Sequence, residues 1–201
     1  NRCLVGSEMC IRDRRKQQED FDRLKAKLIG FIQPEHVALT YSQTDSSIAA
    51  LYAHTIADYR LHKKDSSLKK IDSLIAKEPN NPYFQELKGQ MLVEFGNIKT
   101  ALPYYKRAVD KMPSSGLIRT AYAHALIEST ESDASTLNQA IKQLTRAYTY
   151  EPKSLRIQRL LGTAYGRLGN KGKASLHLAE EALLRGESDY AKQRVQNALQ
   201  Y

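Results

Sequence analysis

The chain has 201 residues, of which 41% are hydrophobic and 26% are charged, a composition typical of a globular protein. No apolar run approaches the length of about 18 to 20 residues that spans a bilayer, so the sequence predicts no transmembrane helix. The formal charge of +9 comes from lysines and arginines interleaved with acids, which favours a solvated basic surface over a nucleic-acid site.

The opening segment, NRCLVGSEMCIRDR, carries both cysteines of the chain, Cys3 and Cys10. Its apolar run CLVG is shorter than the core of about 7 to 15 residues that a signal peptide requires. Residues 3–14 match the translation of a widely used transposase sequencing adapter. We therefore expect residues 1–14 to be adapter-derived and disordered, and the authentic chain to begin near Arg15, in mid-protein.

Residues 15–46 are predicted to form a lead helix and a connector. The segment QQEDFDRLKAKLIGFIQP is amphipathic and is ended by Pro34. The polar stretch EHVALTYSQTDS follows, with a helix cap predicted at Asp45 or Ser46. The apolar face of the lead helix is formed by Phe21, Leu24, Leu28, Phe31 and Ile32. We expect Phe21, Leu28 and Phe31 either to pack on the first repeat or to cause self-association.

An internal repeat dominates the rest of the chain. The stretch GQMLVEFGNIKTALPYYKRAVDKMP, from Gly89, shares a template with GTAYGRLGNKGKASLHLAEEALLRG, from Gly162. Each copy has two apolar stretches of helical spacing separated by Gly-Asn, which indicates a helix-turn-helix pair.

Two sets of landmarks give the same period. The small residues Ser67, Ala101, Ala140 and Ala174 are separated by 34, 39 and 34 positions, and Pro79, Pro113 and Pro152 by 34 and 39. The extra residues fall in ESTESDAST, which is predicted to be a loop. The predicted repeats are 47–80, 81–114, 115–153, 154–186 and the partial 187–201. The next proline of the repeat pattern would fall just past the end of the sequence, so we expect this end to be cut short as well.

This pattern resembles the tetratricopeptide repeat, which implies an all-α solenoid of stacked antiparallel helix pairs. Its small residues lie where paired helices touch, and its later aromatic and small residues meet the next repeat. Asn81 and Pro82 are predicted to begin a helix, and Pro103 is predicted in or near a first turn. The residues assigned to repeat packing are Gly89, Ala101, Tyr105, Ala108, Ala123, Ala140, Gly162, Tyr165 and Ala174.

No catalytic constellation is recognisable in the sequence. The five histidines have no metal-ligand spacing, there is no G-x-S-x-G or phosphate-binding glycine loop, and no cysteine follows Cys10. We therefore predict no catalytic residue, no metal ligand and no cofactor in this chain.

A binding surface is the remaining candidate site. In a solenoid of helix pairs the first helices line the concave face, which suits an extended peptide. Tyrosine would supply contact area and arginine would pair with acidic groups. An alternative is that the tyrosines of this set cover the core beneath the lead helix. The predicted groove residues are Tyr52, Tyr59, Arg60, Tyr83, Glu86, Gln90, Glu94, Thr120, His124, Arg156, Arg159 and Arg167.

Three stretches resemble a narrower family: KLIGFI, IDSLIAKEPNNPYFQELKGQMLVEFG and LLGTAYGRLGNKGKASLHLAEEALLRG. They are similar to the C-terminal repeat domain of bacterial BepA-like zinc metalloproteases of peptidase family 48. The resemblance covers about residues 18–201 and implies a periplasmic endopeptidase of outer-membrane protein quality control. It implies that zinc and the H-E-x-x-H motif belong to a catalytic domain absent from this chain. The implied partners are that protease domain and substrate or outer-membrane assembly proteins.

Two other readings stay open. A free-standing repeat adaptor binding an extended peptide would suit the cytoplasm as well as the periplasm, and a basic helical solenoid could in principle bind nucleic acid. A start codon at the upstream end would support the adaptor, and an upstream frame with H-E-x-x-H would support the protease. Salt-dependent retention on single-stranded RNA would be required for nucleic-acid binding.

Overall fold

The computed structural model describes residues 6–129 and 133–200 of the chain, with side chains described from Asp13 onward. All regular structure in these residues is helical, and the all-α class predicted from the sequence is confirmed. A 3-10 turn at Pro34–His36 separates the first two α-helices. The helices are α1 (Gly6–Ile32), α2 (Val37–Thr40), α3 (Ile48–Arg60), α4 (Lys64–Lys77), α5 (Pro82–Glu94), α6 (Ile98–Lys111), α7 (Gly116–Glu128), α8 (Ala134–Tyr148), α9 (Leu155–Arg167), α10 (Lys171–Leu184) and α11 (Ser188–Ala198).

The chain divides into two compact units, unit 1 (Asn1–Pro79) and unit 2 (Asn80–Tyr201). Unit 1 contains the lead helix together with the first predicted repeat, because α1 packs on α3 and α3 packs on α4. Unit 2 contains the pairs α5–α6, α7–α8 and α9–α10, followed by α11, each helix packing on the next. One pair falls within each of the four full repeat ranges predicted from the sequence.

Side-chain caps begin most of the helices from α3 onward, although not α4, α6 or α11. The cap predicted at Asn81 is confirmed, since its Oδ1 accepts a hydrogen bond from the Tyr83 N–H at 3.0 Å. The cap of α3 is Ser47 and not Asp45 or Ser46: the Ser47 hydroxyl accepts from Ala50 N–H at 3.2 Å. Asp45 supports this turn by accepting from the Ser47 N–H at 2.8 Å, which explains why the sequence suggested a cap one or two residues too early.

Two first helices of unit 2, α5 and α9, are each followed by a left-handed glycine. Gly96 and Gly169 have φ of +80° and +75°, a conformation that glycine adopts without a Cβ clash. The N–H of the residue after Gly96 then reaches back to the carbonyl of Leu92 at 2.7 Å and closes the last turn of α5. In unit 1 the corresponding residue is His62, with φ of 58°, so the first pair ends without the glycine.

The helix pairs of unit 2 touch through small residues. The ring of Tyr105 lies 3.0 Å from where a Cβ on Gly89 would be, and it stacks on Tyr122 of the next pair, with centroids 6.5 Å apart. Nearly all of the residues assigned to repeat packing are buried, and Tyr165 is half-buried against the parallel ring of His177. The buried members are Gly89, Ala101, Tyr105, Ala108, Ala123, Ala140, Gly162 and Ala174.

The lead helix packs on the first repeat, but not through most of its predicted apolar face. It packs on α3 through Ala26, which is fully buried, and through Gly30, where a Cβ would lie only 2.8 Å from the Ile56 Cβ. Of the predicted apolar face only Phe31 reaches the unit, edge-on to Tyr59 with ring centroids 6.2 Å apart. Small residues allow a closer helix contact than the large ones, so the large apolar side chains point to solvent.

The opening segment also differs from its prediction in part. Residues 1–5 lie outside the described residues, but the backbone from Gly6 to Arg14 is the first part of α1 and is not disordered. No glycine or proline occurs between Ser7 and Ile29, so nothing interrupts the helical hydrogen bonds there. The adapter origin of this segment stays a prediction, since a conformation does not report on the source of the DNA.

The loop predicted in the third repeat lies between α7 and α8. Of ESTESDAST, residues 130–132 lie outside the described residues. Asp133 begins α8, its carboxylate accepting from the Thr136 N–H at 2.7 Å. Backbone hydrogen bonds from Thr136 and Ser135 hold the pKa of Asp133 below its ordinary value.

Candidate interaction surface

The solvent-facing side of α5, α7 and α9 in unit 2 is the candidate interaction surface, and we call it the first-helix face. These helices are neighbours, α5 contacting α7 and α7 contacting α9. The second residue of each helix occupies the same place in the repeat: Tyr83, Leu117 and Arg156. Tyr83 is half-buried, and Leu117 and Arg156 are exposed.

Three of the predicted groove residues are not on an open surface. Tyr52 and Tyr59 in unit 1 are 0% and 3% exposed, on the helix α3 against which α1 packs, and the Phe31 ring of α1 contacts Tyr59. Here the alternative reading, in which tyrosines cover the core beneath the lead helix, describes the structure. Thr120 in unit 2 is also buried, and its hydroxyl donates to the Gly116 carbonyl at 2.8 Å. Arg60 in unit 1 is exposed, with its guanidinium 6.0 Å from the centre of the Phe31 ring.

The three arginines predicted on α9 have different surroundings. Arg159 is turned toward α10, where its Nη2 lies 2.7 Å from the buried carboxylate of Glu181. Arg167 donates to the Ile127 carbonyl and pairs with Glu128 of α7 at 3.1 Å. Within the described part of the chain, Arg156 has no hydrogen bond and no ion pair. It is therefore the arginine of this set whose guanidinium is available to a partner.

The acidic members of the first-helix face lie on α5. Glu94 is exposed and accepts a hydrogen bond from the Gln90 side chain at 3.2 Å. Burial raises the pKa of Tyr105 well above its ordinary value; Glu86 raises it further, Arg156 opposes the increase, and Glu94 adds to it. All three charged groups therefore act on the Tyr105 hydroxyl, the two glutamates from α5 and the arginine from α9.

His124 lies half-buried on α7 between these groups. Burial lowers its pKa, Arg156 lowers it further, Glu128 raises it and Arg167 lowers it. The imidazole is therefore held neutral near neutral pH, as a hydrogen-bonding group rather than as a third cation.

Two residues of this face were missed in the sequence. Leu117 is 72% exposed, and Glu128 holds Arg167. The repeat period could have identified both, because Leu117 is equivalent to Tyr83 and Arg156, and Glu128 to Glu94 and Arg167.

No metal-binding or membrane-spanning feature occurs in the residues that the structure describes. These residues contain no group of three or more His, Cys, Asp or Glu side chains that could hold a metal ion. None of their helices is both long and apolar enough to cross a membrane.

Comparison with solved structures shows the same fold. A structure named MamA MSR-1 covers 87% of this chain and 98% of its own, with 18% identity and a TM-score of 0.65. The match with MamA 41-end from Desulfovibrio magneticus RS-1 covers 85% of this chain and 96% of that structure, with 19% identity and a TM-score of 0.67. A third structure, YrrB, is described as a tetratricopeptide repeat protein with an unusual peptide-binding site. The match with YrrB covers 87% of this chain and 90% of that structure, with 18% identity and a TM-score of 0.67.

Comparison of sequences identifies the family. No curated protein sequence matches the chain significantly. The resemblance to BepA-like metalloproteases therefore stays a prediction. The tetratricopeptide repeat family matches residues 35–196, which include all the helix pairs and most of α11. The chain belongs to the tetratricopeptide repeat family.

Proposed function

We propose that this chain is a protein–protein interaction scaffold whose first-helix face in unit 2 binds an extended segment of a partner protein. Repeats of this family present extended surfaces, and YrrB, a structure of the same fold, is described as having a peptide-binding site. The observation that carries the proposal is Arg156, an exposed guanidinium without a partner in the described residues, in line with Leu117 and Tyr83.

The chemistry of the face selects the segment. Leu117 and the half-buried Tyr83 offer contact to an apolar side chain beside Arg156, in the row formed by the second residues of the three helices. Arg156 on α9 favours an acidic group, and Glu94 on α5 favours a basic one. The expected ligand is therefore an extended segment with an apolar residue flanked by an acid toward α9 and a base toward α5.

The test begins with selection from a random peptide library displayed on phage, using the full chain as bait. The selected peptide is then labelled and its affinity measured by fluorescence anisotropy. We expect Arg156→Glu to weaken binding at least about tenfold, since reversal replaces an attraction with a repulsion. Leu117→Asp is expected to weaken it similarly.

Arg146→Glu is the matched control. Arg146 is an exposed arginine on the second helix α8, outside the first-helix face, and its reversal changes the net charge equally. We expect it to bind the peptide like the unmodified chain. Equal losses for Arg146→Glu and Arg156→Glu, or a library that yields no specific peptide, would contradict the proposal.

A second and finer proposal concerns the parent protein. The resemblance in NPYFQELKGQ and AYGRLGN supports a repeat domain that presents substrates, or recruits outer-membrane assembly proteins, for a periplasmic zinc endopeptidase. The zinc would belong to the catalytic domain, and that domain would be the first partner of this chain. Under the adaptor alternative the same face binds its peptide without a protease, and the cytoplasm becomes the expected location.

The gene decides between these two proposals. The genomic DNA upstream of the codon for Arg15 should encode an H-E-x-x-H motif in the same frame if the chain is part of a protease. A start codon at that point, with no such frame before it, would contradict the protease proposal and support the adaptor. Neither outcome bears on the peptide-binding test.

A further inference from the structure

The lead helix has a second apolar face that none of the described residues of unit 1 covers. Its inner side, with Ala26 and Gly30, packs on α3. An α-helix turns by about 100° per residue, so residues three, four and seven positions apart share a side. Four large apolar side chains share the opposite side and are at least half exposed. These four residues form what we call the outer α1 face: Phe21 (60%), Leu24 (52%), Leu28 (50%) and Ile32 (70%).

The spacing of this face fits a two-stranded coiled coil. Phe21, Leu24 and Leu28 follow each other at intervals of three and four residues, the a, d, a pattern of a heptad. Phe31 continues the pattern at the next d position, at the edge of the contact with Tyr59. A stripe of this width can be buried by one further helix of the same pattern.

We propose that the outer α1 face binds the same face of a second copy of this chain, with the two α1 helices parallel. The proposal depends on the charges beside the stripe. In the heptad that places Phe21 at a and Leu24 at d, Asp20 occupies the g position and Lys25 the e position, and both are exposed. The g and e residues of two helices flank their apolar seam and pair across it.

The parallel arrangement matches these charges. In a parallel pair, a g residue lies beside the e residue five positions later on the other helix. Asp20 of each copy then meets Lys25 of the other, which gives two opposite-charge contacts by symmetry. The exposed Asp20 carboxylate also pairs with Arg23 of its own helix at 3.0 Å, and a carboxylate can accept from two cations at once.

The antiparallel arrangement does not match them. To bury the two leucines, an antiparallel pair must place Leu24 of one copy against Leu28 of the other. Phe21 then lies against the opposite end of the stripe, at Phe31 and Ile32. Lys25 of the two copies then face each other, and so do the two Lys27 side chains. Like charges at these positions oppose association, so the observations favour the parallel dimer. The proposal uses only residues 20–32, which lie after the predicted adapter, and it does not depend on the peptide-binding role of unit 2.

The oligomeric state of the full chain tests the proposal. Sedimentation equilibrium over a series of concentrations, in a reducing buffer that prevents cross-linking through Cys3 and Cys10, should show a monomer–dimer equilibrium. Leu24→Asp and Leu28→Asp should each give a monomer, because they place a carboxylate in the apolar seam. Both side chains are half exposed in unit 1, so circular dichroism should show unchanged helix content.

Leu176→Asp is the matched control. Leu176 lies on α10 of unit 2 and is 47% exposed, close to the values for Leu24 and Leu28. This variant should dimerise like the unmodified chain. A chain that is monomeric at every concentration would overturn the proposal and leave the outer α1 face to another partner. Dimers of the Leu24→Asp and Leu28→Asp variants would overturn it as well, because the contact would then lie elsewhere.

A charge exchange tests the orientation. Asp20→Lys and Lys25→Asp should each weaken the dimer about fivefold, the effect of two modest exposed ion pairs. The double variant, with both charges exchanged, should recover the affinity of the unmodified chain because the pairs are restored in reverse. If the double variant stays as weak as the single ones, the parallel arrangement is wrong.

Discussion

At the scale of single residues, Gly162 sets how closely α9 approaches α10. A Cβ at this position would lie 3.0 Å from the Leu178 Cγ and 3.4 Å from the Ala174 carbonyl oxygen. Leu178 can move but the backbone carbonyl cannot, so a large side chain must push the helices apart. We expect Gly162→Leu to lower the free energy of unfolding by about 1 to 3 kcal/mol through overpacking, measured by urea denaturation.

Gly166, one turn later on α9, is the control for that prediction. A Cβ there would meet nothing closer than the Ala174 Cβ at 3.9 Å, an ordinary contact. Gly166→Ala should therefore keep the stability or raise it by up to about 1 kcal/mol, since alanine is the better helix former. Equal stability of Gly162→Leu and the unmodified chain would show that the two helices are free to separate.

The same scale shows what a repeat period can predict. The repeat period predicted the small packing residues, because every helix pair needs a small residue at the same repeat position. It could not predict that Tyr52 and Tyr59 are buried, because the covering helix α1 lies outside the repeats. Nor could it show that Arg159 is turned toward Glu181, since that contact depends on the packing of α9 against α10.

At the scale of the helix, Pro103 is a correction to the sequence prediction. It was expected in or near a first turn, but α6 begins at Ile98, which places Pro103 at its sixth residue. The missing N–H would have bonded to the carbonyl of Lys99, one turn earlier. Proline favours the first turn of a helix, and the sequence prediction followed that preference, although Asn97 occupies the N-cap position of α6.

This position gives a stabilising substitution. We expect Pro103→Ala to raise the free energy of unfolding by about 1 to 3 kcal/mol, because it restores a helical hydrogen bond and removes a ring clash at an exposed site. Pro82→Ala is the control: Pro82 is at the first helical position of α5, where no such bond is lost. Chemical denaturation of both variants checks the difference, and a Pro103→Ala variant no more stable than Pro82→Ala contradicts it.

The orientation of the lead helix is a further feature at the scale of the helix. The sequence predicted its amphipathic pattern, but not which side faces unit 1. The rule that large apolar residues face the core selects the outer α1 face, whereas the contact with α3 is made by Ala26 and Gly30. A helix with two usable sides cannot be oriented from its apolar pattern alone.

At the scale of the whole molecule, two half-buried histidines couple the folding of unit 2 to pH. Burial lowers the pKa of His177, with Glu180 raising it and Lys173 lowering it again. Its ring stacks on Tyr165, and its Nδ1 lies 2.8 Å from the Gln158 Oε1, so Nδ1–H donates to that oxygen. The pKa of His124 on α7 is lowered as well, by burial first and then by Arg156.

The direction of the pH effect follows from these shifts. The unfolded chain takes up protons at these histidines near the ordinary pKa of 6.5, while the folded chain takes them up only at lower pH. Their contribution to stability is therefore complete above pH 6.5 and is lost as the pH falls below it. Asp58 and Asp133 affect the stability in a separate, more acidic pH range, since their pKa values lie below 3.8.

We therefore expect the urea midpoint of the chain to fall between about pH 7 and about pH 5. The double variant His124→Gln, His177→Gln should lose most of this dependence, because glutamine cannot be protonated in either state. His36→Gln, which alters an exposed histidine of unit 1, should keep the dependence of the unmodified chain. If the double variant keeps the same fall in midpoint, proton uptake in this window occurs at other groups, and the two histidines do not couple folding to pH.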